Sequence, residues 1–330
     1  MRGKPVLSLQ VLKESLAKMV LIRRFEEHSV EAYTQGHIGG FCHLCIGQEA
    51  IPVALSLVMS PQDSVITAYR AHGIALTQGL SPRQVMAELM GKEAGCSRGK
   101  GGSMHMFNVS KRFYGGHGIV GSSSSLGTGL ALAHRYSKDN GVSLTLLGDG
   151  ASNQGQFFES MNMASLWNLP VLYIIENNGF SMGTSVERGC AGGPLYKRGE
   201  PFGIPGALCL GDDFIELHQQ LRERLEIVRE TSRPFLLEID TYRFKGHSMS
   251  DPGKYRTRET LDEARTLRDP IQRLQEYLIQ EHHCTPEALR AFDEYAQDCV
   301  KDAVAFSLDA EEPPQEALWK DVFVTTGDSL

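Results

Sequence analysis

The stretch from Ser143 to Gly183, SLTLLGDGASNQGQFFESMNMASLWNLPVLYIIENNGFSMG, constrains this chain most. It reads as an apolar strand (Ser143–Leu147), a glycine turn, a helix with Phe157, Met161, Ala164 and Asn168 at helical spacing, a turn marked by Pro170, and a second strand (Val171–Glu176). A strand–helix–strand crossover joins parallel neighbours and is right-handed. Parallel strands open their carboxyl ends on one edge, where ligands of open α/β sheets bind. The triplet Gly148-Asp149-Gly150 follows the first strand and the pair Asn177-Asn178 the second, so Asp149 and Asn178 are expected to converge. A carboxylate and an amide oxygen are hard donors that suit Mg²⁺ or Ca²⁺, with waters and phosphate oxygens completing the shell. Gly148 and Gly150 permit close backbone approach and offer N–H groups to an anion. Alone, the glycine–aspartate turn and the asparagine pair are ordinary loop chemistry; their conjunction at this spacing is a much stronger signal for a divalent metal held with an anion.

The rest of the chain is consistent with an α/β fold built on a mainly parallel sheet flanked by helices. Further strands are expected at Ser64–Ala68 and Phe235–Thr241. Residues 9–35 and 47–59 have helical spacing, with Leu9, Leu12, Leu16, Met19 and Val20 on one face, and give a helical amino-terminal segment (1–60). An α/β core follows (60–255), then a charged helical tail (256–330). With no repeat or low-complexity linker, the expectation is a single domain over residues 1–330. Thr285 and Pro286 form a helix start, and the Glu-Glu-Pro-Pro run at 311–314 a stop. Small residues dominate Gly121–Ala133, so that helix is expected to pack closely on a neighbour.

Composition excludes several classes. A net charge of −7 over 330 residues argues against a nucleic-acid partner. No run of apolar residues is long enough for a membrane span. Met1–Leu16 has neither a secretory nor a transit-peptide pattern, so the expectation is a soluble cytoplasmic protein. The cysteines at 42, 45, 96, 190, 209, 284 and 299 are odd in number and scattered, which suits a reducing compartment. Cys42 and Cys45 have no second pair at zinc spacing and read as core thiols.

Other segments carry candidate chemistry. Arg70 follows an expected strand, and its fork matches diphosphate oxygens in a way Lys does not. His247 lies in a polar loop rich in Gly and Ser, where a catalytic role needs access to a cofactor. Together with the 143–183 unit, GFCHLCIGQEA (40–50), TAYRAHG (67–73), GKGGSMHMF (99–107), FYGGHGIVG (113–121), GTSVERG (183–189), YKRG (196–199) and GHSMSDPGKYRTR (246–258) resemble the alpha subunits of thiamine-diphosphate-dependent 2-oxo acid dehydrogenases, most closely the pyruvate type. The likeness spans nearly the whole chain.

That resemblance implies a thiamine-diphosphate-binding fold, with thiamine diphosphate and Mg²⁺ as cofactors. It assigns Asp149, Asn178 and the main-chain carbonyl of Phe180 to the metal. Tyr69, Arg70, Gly150 and Ala151 join them at the cofactor, and Gly118 and Val120 sit at its pyrimidine ring. It places His247 beside the reactive carbon and His43 against the 2-oxo acid. The implied reaction is oxidative decarboxylation of pyruvate with transfer of the acetyl group to a lipoyl acyltransferase component. In two-chain members the glutamate at the aminopyrimidine belongs to a beta subunit. No match for it stands here, and Glu176 reads as a strand-end residue, so the implied active unit is an α2β2 heterotetramer. An acetoin or branched-chain 2-oxo acid dehydrogenase alpha subunit is the alternative within the class. A non-catalytic Mg²⁺-diphosphate module is the alternative outside it, but it leaves His43 and His247 without a task.

The sequence departs from the family at three places. Ser122–Ser125 replace an Ala-Gln-hydrophobic-Pro run, and four hydroxyls are expected to cap the helix they open. His117 replaces an Asn. Lys254 stands alone where mitochondrial relatives have a longer segment with a regulatory serine. Weak or absent kinase control is therefore expected although Ser248 is present; phosphopeptide stoichiometry of the 244–258 loop in cells checks this, and near-complete phosphorylation refutes it.

Overall fold

The computed structural model describes residues 7–322; residues 1–6, part of the amino-terminal stretch read above, and 323–330 lie outside the described residues. In chain order the elements are α1 (Leu9–Thr34), α2 (Ala50–Val58), β1 (Ser64–Ala68), α3 (His72–Thr77), α4 (Pro82–Leu89), β2 (Phe113–His117), α5 (Ser122–Ser137), β3 (Ser143–Gly148), α6 (Gly155–Leu166) and β4 (Val171–Asn177). They continue with β5 (Phe180–Ser181), β6 (Thr184–Ser185), α7 (Val186–Gly189), β7 (Gly206–Leu210), α8 (Phe214–Thr231), β8 (Phe235–Asp240), α9 (Arg258–Leu267), α10 (Pro270–His282) and α11 (Pro286–Asp309).

Six strands form one parallel sheet in the order β2-β1-β3-β4-β8-β7, and β5 and β6 form a small antiparallel hairpin. The four strands expected from sequence are β1, β3, β4 and β8, each ending within one residue of expectation. The strands β2 and β7 escape sequence reading for a local reason: Phe-Tyr-Gly-Gly-His and Gly-Ala-Leu-Cys-Leu lack β-branched residues. Both are edge strands, where glycine is tolerated. The central strands are covered on both faces, so Leu144, Leu146, Leu147 and Val171–Ile175 are all buried and read as near-continuous apolar runs.

The amino-terminal and tail helices come together. Ser8 caps α1 through its hydroxyl, which accepts from the Val11 amide. Leu12, Leu16, Met19 and Val20 are buried, whereas Leu9 is half-exposed. α1 packs on α10 and α11, and Thr285 caps α11 as expected. The Arg23 guanidinium bridges Glu49, ahead of α2, to Asp269, the cap of α10.

Buried carboxylates shape the loops. Glu88, on α4, is fully buried and accepts from the amides of Ser97 (2.7 Å), Gly99 (3.0 Å), Gly101 (2.7 Å) and Gly102 (3.1 Å). A side chain thus satisfies four main-chain donors in a loop that has no ladder to do so.

The close packing of α5 also appears. A Cβ at Gly127 would lie 2.0 Å from Thr145 Oγ1 on β3, so only glycine lets helix and sheet approach this far. The serine run behaves differently from expectation. The cap of α5 is Gly121, without a side-chain cap bond. Ser122 donates to the Ile119 carbonyl, Ser124 to the Gly121 carbonyl, and Ser123 across to the Leu146 carbonyl of β3. Their hydroxyls satisfy nearby carbonyls instead of the first helical amides.

Gly127→Ala is expected to lose about 2 kcal/mol of stability through overpacking. Gly129→Ala, on the open side of the same helix with nothing within 4 Å, is expected to gain up to about 1 kcal/mol. Urea denaturation of the two variants checks the contrast; equal shifts would contradict the packing described.

Candidate active site

Five neighbouring strands deliver the candidate residues to one edge. Moving across the sheet, Gly118 and Val120 follow β2, Tyr69 and Arg70 follow β1, Asp149–Ala151 follow β3, Asn178 and Phe180 follow β4, and His247 follows β8. β3 and β4 pair with Gly148 opposite Glu176, so Asp149 and Asn178 leave adjacent strand ends. His43 alone comes from the amino-terminal segment, in the loop before α2. These residues line one cavity of about 710 Å³, a size suited to a cofactor or small ligand. Every site residue read from the sequence lies on its wall.

The two asparagines divide the work. Asn177 makes a turn: its Oδ1 accepts from the Gly179 amide (3.0 Å) and its amide donates to Glu238 (2.8 Å). Asn178 faces the cavity instead. On the β3 side, Ser152 donates to the Asp149 carbonyl (2.6 Å) and steadies the turn. A Cβ at Gly150 would fall 1.8 Å from Ser181 Oγ, so the serine side chain of the hairpin lies directly against this glycine.

Arg243 is the largest feature that sequence reading passed over. It is fully buried, donates from Nη1 to Asn178 Oδ1 (3.1 Å) and the Phe180 carbonyl (3.3 Å), and from Nη2 to Tyr255 (3.0 Å). Burial, with Arg70 beside it, lowers its pKa to about 10. Arg70 donates to the carbonyls of Leu44 and His247. One guanidinium thus ties the His43 segment to the His247 loop. The His247 amide donates to Asp251 (2.6 Å), which also accepts from Tyr255 (2.7 Å). Gln48 and Glu176 also reach the cavity wall. Glu176 continues a strand, and nothing in its sequence position marks it as cavity-facing. Burial pushes its carboxyl up to about 7 against the opposing pull of Arg70.

His43, Tyr69 and His247 form an aromatic cluster, with ring centroids 4.6 Å (His43–Tyr69), 5.4 Å (His43–His247) and 5.5 Å (Tyr69–His247) apart. Burial, then Arg70 and His247, pull the His43 pKa down to about 3; burial, then Arg70 and Arg243, pull His247 to about 4. Both imidazoles are neutral near neutral pH and can accept a proton or a hydrogen bond. Among the described residues, His43 Nδ1, His247 Nδ1 and Gln48 Oε1 are buried without a hydrogen-bond partner. Buried polar atoms are normally paired, so three such atoms on one cavity wall fit a polar ligand.

Burial holds the Asp149 carboxyl above its usual range, against the pull of Arg243 and Arg70. Among the described residues no three His, Cys, Asp or Glu side chains gather as a metal cage. One carboxylate, one amide oxygen and one carbonyl are instead hard donors of the kind a divalent cation sharing its shell with phosphate oxygens would use, and the last two here accept from the Arg243 guanidinium.

A family model described as dehydrogenase E1 component matches residues 17–316. The chain belongs to the dehydrogenase E1 component family. Among its curated relatives is the pyruvate dehydrogenase E1 component subunit alpha of Rickettsia bellii (strain RML369-C), 48% identical over 311 residues, covering 94% of this chain and 95% of the relative. That of Rhizobium meliloti (strain 1021) is 49% identical over 307 residues, covering 93% and 88%. The somatic, mitochondrial form from Homo sapiens is 46% identical over 320 residues, covering 96% and 81%. Membership in the E1 family implies use of thiamine diphosphate, and the fold has the six-stranded parallel sheet expected of it.

The depressed histidines make the fold acid-sensitive. An imidazole with a folded pKa near 3 binds a proton less readily than the unfolded chain, whose value is near 6.5. Its contribution is present above about pH 6.5 and is lost as pH falls toward its folded pKa. His43→Gln is expected to flatten the fall in urea midpoint between about pH 7 and about pH 4.5. An unchanged pH slope would contradict the burial assigned to His43.

Proposed function

We propose that this chain is the alpha subunit of a pyruvate dehydrogenase E1 component and that it binds thiamine diphosphate and Mg²⁺ in the cavity at the sheet edge. The observation that carries this reading is the convergence of Asp149, Asn178 and the Phe180 carbonyl with the His43–Tyr69–His247 cluster on one cavity wall. Asp149, Asn178 and Phe180 would hold the metal, Gly150 and Ala151 would meet the diphosphate, and Gly118 and Val120 would meet the pyrimidine. When bound, thiamine diphosphate supplies a carbon nucleophile and an electron sink for loss of CO₂ from a 2-oxo acid. The chain's own part is positioning. His43 and His247, both neutral imidazoles on the cavity wall, each carry one N–H that can donate to the oxygens of the 2-oxo acid, which only accept, and one bare nitrogen that can take up a proton moved at the reacting carbons. Arg70, joined to both their loops, keeps them facing one another.

The active unit is proposed to be an α2β2 assembly with a beta subunit that supplies the glutamate at the aminopyrimidine. The rim of the cavity supports this. Ile119 is 72% exposed beside it, and the outer faces of the mutually packed α5 and α6 expose Leu126, Leu132, Tyr136, Met163 and Leu166. Exposed large apolar side chains on two neighbouring helices are the kind of surface a protein partner covers. A lipoyl acyltransferase component would accept the acetyl group.

The test is Mg²⁺-dependent thiamine diphosphate binding and decarboxylation across a panel of 2-oxo acids, with the chain alone and with its co-expressed beta subunit. Activity only in the pair, greatest with pyruvate, is expected. Appreciable decarboxylation by the chain alone refutes the shared site; no cofactor binding in either form refutes the cofactor assignment. Asp149→Ala is expected to weaken Mg²⁺ and cofactor affinity by at least about 10–100-fold.

A further inference from the structure

A polar ring lies behind the cavity wall. Glu26 on α1, His72 on α3 and Ser103 are each exposed by 3% or less, and the three stand back from the cavity lining. His72 Nδ1 lies 2.8 Å from Glu26 Oε2, and His72 Nε2 lies 2.8 Å from Ser103 Oγ. The His43 amide donates to Ser103 Oγ (3.2 Å), and the Cys45 amide donates to Glu26 Oε1 (2.8 Å). The ring therefore closes on residues 43–45, which carry the His43 imidazole on one side and the Leu44 carbonyl that receives Arg70 on the other.

Hydrogen-bond direction follows from the two groups that have no choice. A main-chain amide only donates, so Ser103 Oγ accepts from His43, and a carboxylate only accepts, so His72 Nδ1–H donates to Glu26. With the imidazole neutral, Nε2 is bare and takes the serine proton. Every donor in the ring has an acceptor in this arrangement. Burial pushes the Glu26 carboxyl up, but His72 and the Cys45 amide more than offset it, and its pKa lies below the usual range. Ser103 itself is delivered by the 97–102 loop that Glu88 gathers.

We propose that His72 is a positioning residue for His43. Glu26 fixes its tautomer, the tautomer orients Ser103, and the serine oxygen holds the His43 main chain so that its imidazole faces the 2-oxo acid. The inference rests on the function proposed above.

The test uses the assembled complex with its beta subunit. His72→Gln and Ser103→Ala are each expected to lower kcat/KM for pyruvate at least about tenfold, the scale of a hydrogen bond to a charged network. Thiamine diphosphate affinity should stay within about twofold, and Ser103→Thr, which keeps the hydroxyl, should restore most of the activity. In a His43→Ala background, either substitution should cost less than about twofold more, because its effect passes through His43. Losses that multiply in the double variants overturn the proposal. So does a lowered melting temperature with kcat/KM unchanged, which is what a purely structural ring would give. Where His72→Gln fails to assemble, Ser103→Ala decides the same question. A wild-type complex inactive on pyruvate overturns the proposed function itself, and this inference with it; an active complex failing the cycle overturns the positioning role alone.

Discussion

Parallel strand pairing is the constraint on which the site depends. Because β2, β1, β3, β4 and β8 all run the same way, their carboxyl ends share one edge, and the segments that leave them meet without any need for proximity in sequence. Gly118, Arg70, Asp149, Asn178 and His247 are scattered along the chain yet appear in strand order across that edge. Antiparallel insertion of a single strand would send one of these segments to the far side of the sheet. The buried apolar runs of β3 and β4 at the centre give the edge a rigid base.

Rigid strands end in irregular loops, and a second device holds those. Glu88 gathers four amides, Glu26 holds the His72 ring and the Cys45 amide, and Glu49 anchors Arg23 and the Gly47 amide. Each carboxylate is fully buried. A buried charge is costly unless its lone pairs are filled, so each of these side chains accepts a converging set of donors, and the loop that supplies the donors is held in the shape that fills them. Around the cavity the charges are mixed: Arg70 and Arg243 stand with Asp149, Glu176 and Asp251, and the two arginines help to keep His43 and His247 neutral.

Three oxygen donors at Asp149, Asn178 and Phe180, two neutral imidazoles and exposed apolar side chains on α5 and α6 are the features on which the proposed cofactor and partner rest. α5, which opens just after Val120 on the cavity wall, presses against β3 at Gly127 while Leu126, Leu132 and Tyr136 on it remain exposed. The same small-residue helix therefore combines close internal packing with an exposed apolar outer face.

Much of this was legible in the residues. The strand–GDG–helix–strand–NN unit implied parallel strands and hence the meeting of Asp149 with Asn178, because side-chain periodicity and crossover handedness are local rules. The motifs along the chain added Tyr69, Arg70, Gly118, Val120, His43 and His247, and all reach the same cavity. Tertiary structure decided what local rules do not carry. β2 and β7 have no strand-like composition and exist because a neighbouring strand offers a ladder. Ser122–Ser125 read as caps but donate to carbonyls, one of them across to β3. Arg243, Gln48 and Glu176 became cavity residues, and Glu26, His72 and Ser103 became a ring, only once distant segments were brought together. A hydrogen bond between residues far apart in sequence leaves no periodicity to read, so its partners are known only when the chain has folded.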